Sequence, residues 1–233
     1  MGIRDRGVGD EGGGGNGGTV GSREAALRAA WARGPPLLRF FFSEAWADAQ
    51  RWHAARVEFA ASAAAGAVCG WALALGGRSA SNVRLCARSG RLVHCGLGER
   101  APGDAGARAE AVPFRLTRET VHCLGVAGID GGGRAGFRAA AEATAVALRA
   151  GGARGALLSA MAVLQHDPLL EWALGAADNG AAGAAAVARA RERVDGVEGS
   201  EPLSAGGQVA RLIAEAIDPA RLAEMEHGWG AWL

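Results

Sequence analysis

One stretch of this chain switches its apolar period from helical to alternating, and it limits the fold more than any other feature. Asn82 to Cys86 (NVRLC) and Arg91 to Cys95 (RLVHC) are short strand-type runs joined by Ala87-Arg88-Ser89-Gly90, which reads as a β-hairpin. The sequence on either side reads as helix. A lone two-stranded hairpin is marginal in water, so the expectation is a mainly α fold that wraps one small hairpin. Gly76-Gly77 precede the hairpin and Gly96-Leu97-Gly98 follow it. Two loops therefore leave its ends side by side, a common way of assembling a site on a rigid scaffold.

The helical segments follow from periodicity and breakers. Met1 to Ser22 is glycine-rich with little to bury, so disorder is expected there, and its Gly-x-Gly matches lack the preceding strand that a phosphate loop needs. From about Ser22 the pattern is helical until Pro35 and Pro36; the apolar run Leu37 to Phe42 follows, and Ser43 is read as the cap of a helix carrying Trp46 and Trp52. After Thr117 helix resumes, with Phe137, Ala140, Ala141, Thr144, Ala145 and Leu148 on one face. Asp167-Pro168 offers another helix start. Gly175 to Ala186 reads as a linker, weakly helical sequence being the alternative. In the tail, Val209, Leu212, Ile213, Ala216 and Ile217 form one face, Asp218-Pro219 restarts a helix with Leu222 and Met225 inward, and Gly228 is expected to stop it.

Composition excludes several chemistries. All 25 basic residues are arginine, so no lysine can form a Schiff base or anchor nucleotide phosphates within this chain. Twenty-four acidic residues bring the formal charge to +1, which removes the bulk electrostatic case for direct nucleic-acid binding. Cys69, Cys86, Cys95 and Cys123 form no C-x-x-C pair, pointing to a reducing compartment. No G-x-S-x-G and no H-E-x-x-H occurs. The start lacks the apolar stretch of a secretion signal. Phe59 to Gly77 is a run of 19 uncharged residues, close to a membrane span in length; being mostly Ala, Gly and Ser, it reads instead as a buried core helix. His53, His94, His122, His166 and His227 have no Asp or Cys partner at a telling spacing, and His94, in a strand, reads as structural.

Three blocks carry a resemblance. The tail GGQVARLIAEAIDPARLAEMEHGWGAWL (Gly206 to Leu233) resembles the FATC segment of the phosphatidylinositol 3-kinase-related protein kinases, with wording nearest the ATM (ataxia-telangiectasia mutated) branch. Ala111 to Arg118 (AVPFRLTR) resembles the end of that family's activation segment, in which Val112, Pro113, Phe114 and Arg115 fall. Asp167 to Trp172 (DPLLEW) resembles a later kinase helix. The resemblance implies a disordered segment over 1–22, a kinase C-lobe over 37–174, a linker or reduced regulatory insert with a helix over 175–201, and a FATC domain over 202–233. It also implies that the amino-terminal lobe is not represented here, so that partners would be that lobe or the rest of a large kinase chain, with further proteins on the FATC surface; a membrane span is not expected.

The family's catalytic loop reads G-D-R-H-x-x-N and its metal loop D-x-G, and here these become Gly76-Gly77-Arg78-Ser79-Ala80-Ser81-Asn82 and Gly96-Leu97-Gly98. The resemblance thus puts Gly77 at the catalytic aspartate, Ser79 at the histidine, and Gly96 at the metal-binding aspartate. Asn82 is left as the one candidate metal ligand. Glu99 and Asp104 lie downstream at shifted positions. ATP and Mg²⁺ serve the family, but glycine can neither orient a hydroxyl nor hold Mg²⁺, so neither is expected to bind tightly. The implied function is the C-terminal part of an ATM-like serine/threonine kinase of DNA-damage signalling, nuclear by resemblance and inert in this chain. The alternative is a non-catalytic FATC and helical interaction module, a pseudokinase. Leu212, Ile213, Ile217, Trp229 and Trp232 are the expected packing residues of the tail.

Overall fold

A computed structural model describes residues 20–96, 110–163, 181–197, 202–225 and 227–232. Asp167 to Trp172, Glu99 and Asp104 lie outside them. Nine helices and one hairpin are seen among the described residues: α1 (Val20–Arg33), α2 (Leu38–Ala45), α3 (Ala49–Ala72), β1 (Val83–Leu85), β2 (Leu92–His94), α4 (Arg118–Cys123), α5 (Phe137–Arg149), α6 (Gly151–Ala162), α7 (Ala181–Asp195), α8 (Ala205–Ile217) and α9 (Pro219–Glu224). The strands pair antiparallel, Val83 opposite His94 and Leu85 opposite Leu92.

The axis of the fold is α3. Ala60, Ala63, Ala64 and Ala67 are buried along it with Phe59, Val68 and Trp71. Such small side chains let a neighbouring backbone come close, and α5 takes that place, burying Phe137, Ala141 and Ala145 in the same core. Each fully buried phenylalanine here contributes about 1.5–3 kcal/mol. The uncharged run is therefore a core helix as far as Ala72 and a loop beyond it. No helix among the described residues is long and apolar enough to cross a membrane.

The hairpin lies against α3. Ser62 Oγ accepts from the Leu92 N–H at 2.9 Å. Gly66 leaves the space that the His94 ring occupies, since a Cβ there would collide with it. Burial, with the charge of Arg78 as a lesser cause, lowers the His94 pKa.

Four local expectations are corrected or decided. Ser43 caps nothing: it sits inside α2, where its hydroxyl donates to Arg39 O at 3.3 Å. The start of α2 is held instead by Glu119 of α4, whose carboxylate accepts from the N–H groups of Leu37 and Leu38 at 2.9–3.0 Å. The helix bearing Trp52 is capped by Asp48, which accepts from Arg51 N–H; Trp46 lies in the connection and packs on Phe42. Of the two readings of Gly175 to Ala186, the helical one holds from Ala181 onward, where alanine's high helix propensity and the burial of Val187, Ala190 and Val194 make a helix. Gly228 does not stop α9, which already ends at Glu224 with Met225 extended. Ile217 is 40% exposed, outside the packed face of α8.

The tail belongs to the core. Val209, Leu212, Ile213 and Ala216 of α8 join the cluster of α3 and α5. Gln208, 3% exposed, accepts from Arg149 Nη2 and donates to Arg193 O, both at 2.8 Å, tying α5, α7 and α8 together. A second cluster joins Leu27 of α1, Val112, Leu222, Trp229 and Ala231.

Candidate catalytic-loop site

The first loop begins where α3 ends. Leu75 N–H donates to Gly70 O and Ala74 N–H to Trp71 O, a closing turn that places Ala74 at φ +56°. The chain then passes through Gly76, Gly77 and Arg78 to a short 3₁₀ turn at Ala80–Asn82. The second loop leaves β2 at Cys95 and Gly96, with Cys95 N–H donating to Asn82 O at 2.8 Å.

Arg78 joins the two loops. Its side chain is 3% exposed; Nε donates to Gly76 O at 2.8 Å and Nη2 to Gly96 O at 3.1 Å. Its backbone N–H donates to Glu110 Oε1 at 3.0 Å, bringing in the segment that leads to Val112. Nη1 is buried without a hydrogen-bond partner among the described residues. Gly77 and Gly96 have φ +68° and +62°, a region where Asp and Asn are the side chains least disfavoured. Ser79 pairs with Ser81, hydroxyl to hydroxyl, at 2.7 Å, and Asn82 Nδ2 donates to Gly77 O at 2.8 Å.

Among the described residues the donor set does not fit a magnesium ion. Mg²⁺ demands near-octahedral hard oxygen, usually with one or two carboxylates. Here Gly77 and Gly96 offer only backbone oxygens, which already accept from Asn82 and Arg78, and the charge between the loops is a buried guanidinium. A dication would meet repulsion there. Among the described residues no group of three or more His, Cys, Asp or Glu is placed to hold a metal ion.

The third part of the site is the segment Val112 to Arg115. Val112 and Phe114 are buried at 2% and 4% exposure, the latter near Phe137. Arg115 turns to the tail: Nη1 donates to Trp229 O at 2.6 Å, Nη2 to Gly230 O at 3.0 Å, and the guanidinium lies 4.6 Å from the Trp229 ring centroid. Burial pushes the Arg115 pKa down to about 10, partly offset by Glu110. Trp229 is 1% exposed; Trp232 is partly buried, its ring tilted against that of His227 with centroids 4.4 Å apart.

Sequence reasoning places the two glycine positions, Asn82 and the tail tryptophans. It treats Arg78 only as a matching residue and misses that one guanidinium bridges both loops. It misses also the Arg115 clamp and the Glu119 cap, which join residues 114 and 82 positions apart. The first arginine of VPFRLTR, Arg115, a charge inside an apolar string, is the available signal for the clamp.

Comparison with known proteins covers most of the chain. The family described as phosphatidylinositol 3- and 4-kinase matches residues 24–173, and the FATC domain matches 202–233. Serine/threonine-protein kinase ATM of Arabidopsis thaliana is 31% identical over 223 residues, covering 85% of this chain and 6% of that protein. Serine-protein kinase ATM of Sus scrofa is 30% identical over 234 residues, 85% of this chain and 8% of its own length. The solved FAT and kinase domain of CtTel1 superposes with TM-score 0.79 at 28% identity, covering 93% of this chain and 15% of that one. The Tel1 kinase butterfly symmetric dimer gives 0.78 at 27%, covering 94% and 9%. The chain spans less than a tenth of the length of these curated relatives.

Proposed function

This chain belongs to the phosphatidylinositol 3- and 4-kinase family, among the FATC-bearing protein kinases related to ATM and Tel1, and we propose that it is the C-terminal lobe of an ATM-like kinase which does not itself transfer phosphate. The observation that carries the reading is the pair of loops: glycine stands where the resemblance puts two carboxylates, and the buried Arg78 guanidinium joins them. Phosphoryl transfer depends on positioning and charge neutralisation. Within this chain neither a lysine nor an acidic pair at these positions supplies them.

What the chain retains supports a role as a structural partner. The segment Val112 to Arg115 is buried and clamped to the tail, and α8 is built into the core. The folded frame thus persists without its charge chemistry. In this reading it docks against the remainder of a large kinase assembly in the nucleus, in DNA-damage signalling, and offers the FATC face to protein partners.

The test is direct. The purified chain is incubated with Mg-[γ-³²P]ATP and an acceptor protein, and Mg-ATP is titrated into it by calorimetry. No label transfer and no saturable heat are expected; label on the acceptor, absent from a chain-free control, overturns the proposal.

A further inference from the structure

A cavity of about 320 Å³ lies between α3 and the glycine-rich connection that runs from Leu124 to Gly136. It shares no lining residue with the two loops around Arg78. Val57, Ala60, Leu124 and Phe137 give it apolar walls, while His53 and Arg56 stand on the α3 side. His53 is exposed and Arg56 half-buried. At the rim Val126 is 94% exposed.

Arg56 is held in place by the fold. Its Nε donates to Cys123 O at 3.4 Å, its Nη2 bonds Leu124 O, and its guanidinium lies 4.4 Å from the Trp52 ring centroid. Gly125, at φ +104°, makes this possible, because a Cβ there would collide with the guanidinium. Nη1 makes no hydrogen bond among the described residues, and Arg56 has no ion-pair partner among them. No carboxylate among the described residues lines the cavity; Asp130, on the same connection, pairs with Arg138. A smaller cavity of about 60 Å³ on the far side of Arg56 adds Arg39.

A cation with free donors at the edge of an apolar cavity selects for an anionic head on an apolar body. At roughly 30 Å³ for each water-sized group, the space takes about ten heavy atoms, within the range of small-molecule sites. With only Nη1 uncommitted, a single carboxylate suits the donor supply better than a tetrahedral phosphate dianion. We propose that this cavity binds a small amphiphilic carboxylate, its apolar body against Val57, Ala60, Leu124 and Phe137 and its head on Arg56 with His53 alongside.

Octanoate and 1-octanol, which share a tail length, are titrated into the full 233-residue chain and followed by ¹H–¹⁵N NMR. Saturable octanoate shifts are expected on residues 53–60 and 124–137, with octanol at least five-fold weaker. Arg56→Gln should erase that difference. If that variant does not fold, His53→Glu at an exposed position serves instead and should weaken octanoate at least three-fold. Equal affinity for acid and alcohol, shifts elsewhere, an unaltered affinity in His53→Glu, or no saturable shift would each overturn the proposal.

Discussion

Replacing Arg115 by alanine removes the side chain through which the segment after Glu110 grips the tail. Two hydrogen bonds from a charged donor, to Trp229 O and Gly230 O, are lost; each is worth roughly 1.5–3 kcal/mol. The stacking on Trp229 adds about 0.5–2 kcal/mol. Against this stands the cost of burying the cation, which pushes its pKa down to about 10 and so opposes the charged form by roughly 3 kcal/mol. That cost disappears with the side chain. Taken at their mid-range values these terms leave a net loss of about 2–3 kcal/mol, and it falls on the tail. Urea unfolding followed by circular dichroism should report the loss, and hydrogen exchange over 227–230 should quicken about 30- to 150-fold, ten-fold for each 1.36 kcal/mol. Arg115→Lys keeps the charge without the planar fork and should fall between. A loss under about 0.5 kcal/mol with unchanged exchange would refute the clamp.

Other outcomes follow from single positions. Ala74→Gly, at φ +56° in the turn that closes α3, should raise stability by about 1 kcal/mol, measured as a shift of the urea midpoint; no gain would mean that the left-handed turn is not populated. Arg154 donates to both carboxylate oxygens of Asp195 at 2.6 Å and, chiefly through that hydrogen bond, lowers the Asp195 pKa below 3.8. Its stabilisation is fully present above the unfolded carboxylate's pKa and is lost as pH falls through the lower folded one. Asp195→Asn should therefore flatten the acid limb of stability while lowering stability at pH 7 only slightly, the pair being a third exposed; an unaltered limb in acid titrations would exclude the pair as its source. Trp229→Ala should cost about 3–5 kcal/mol in the same urea assay, the usual range for a fully buried aromatic, and a cost below 1 kcal/mol would mean that the tail is not seated.

What was legible in the sequence is what local chemistry decides. The alternation of NVRLC and RLVHC and the helical face from Phe137 to Leu148 depend on spacing alone, and each is where the structure has an element. The reading that puts a cap at Ser43 misses Asp48, an ordinary cap residue five positions on. The start of α2 could not be read locally, because its orphan N–H groups are satisfied by Glu119 far along the chain. Alanine is ambiguous in the same way: Ala181 to Ala186 has the composition of a linker, and tertiary burial decides that it is a helix. Ile217 follows the right period, yet it is the last residue of α8, where the following turn leaves it without a cover. At the site, the glycines at 77 and 96 are legible in the sequence, while the bridging by Arg78 requires coordinates.

Manganese binding, followed by electron paramagnetic resonance, tests at its root the proposal that glycine stands in place of two carboxylates. The unsubstituted chain should show no saturable site, and the Gly77→Asp, Gly96→Asp pair, placed in backbone that tolerates aspartate, should acquire one. A saturable site in the unsubstituted chain, or none in the folded double variant, would contradict the account.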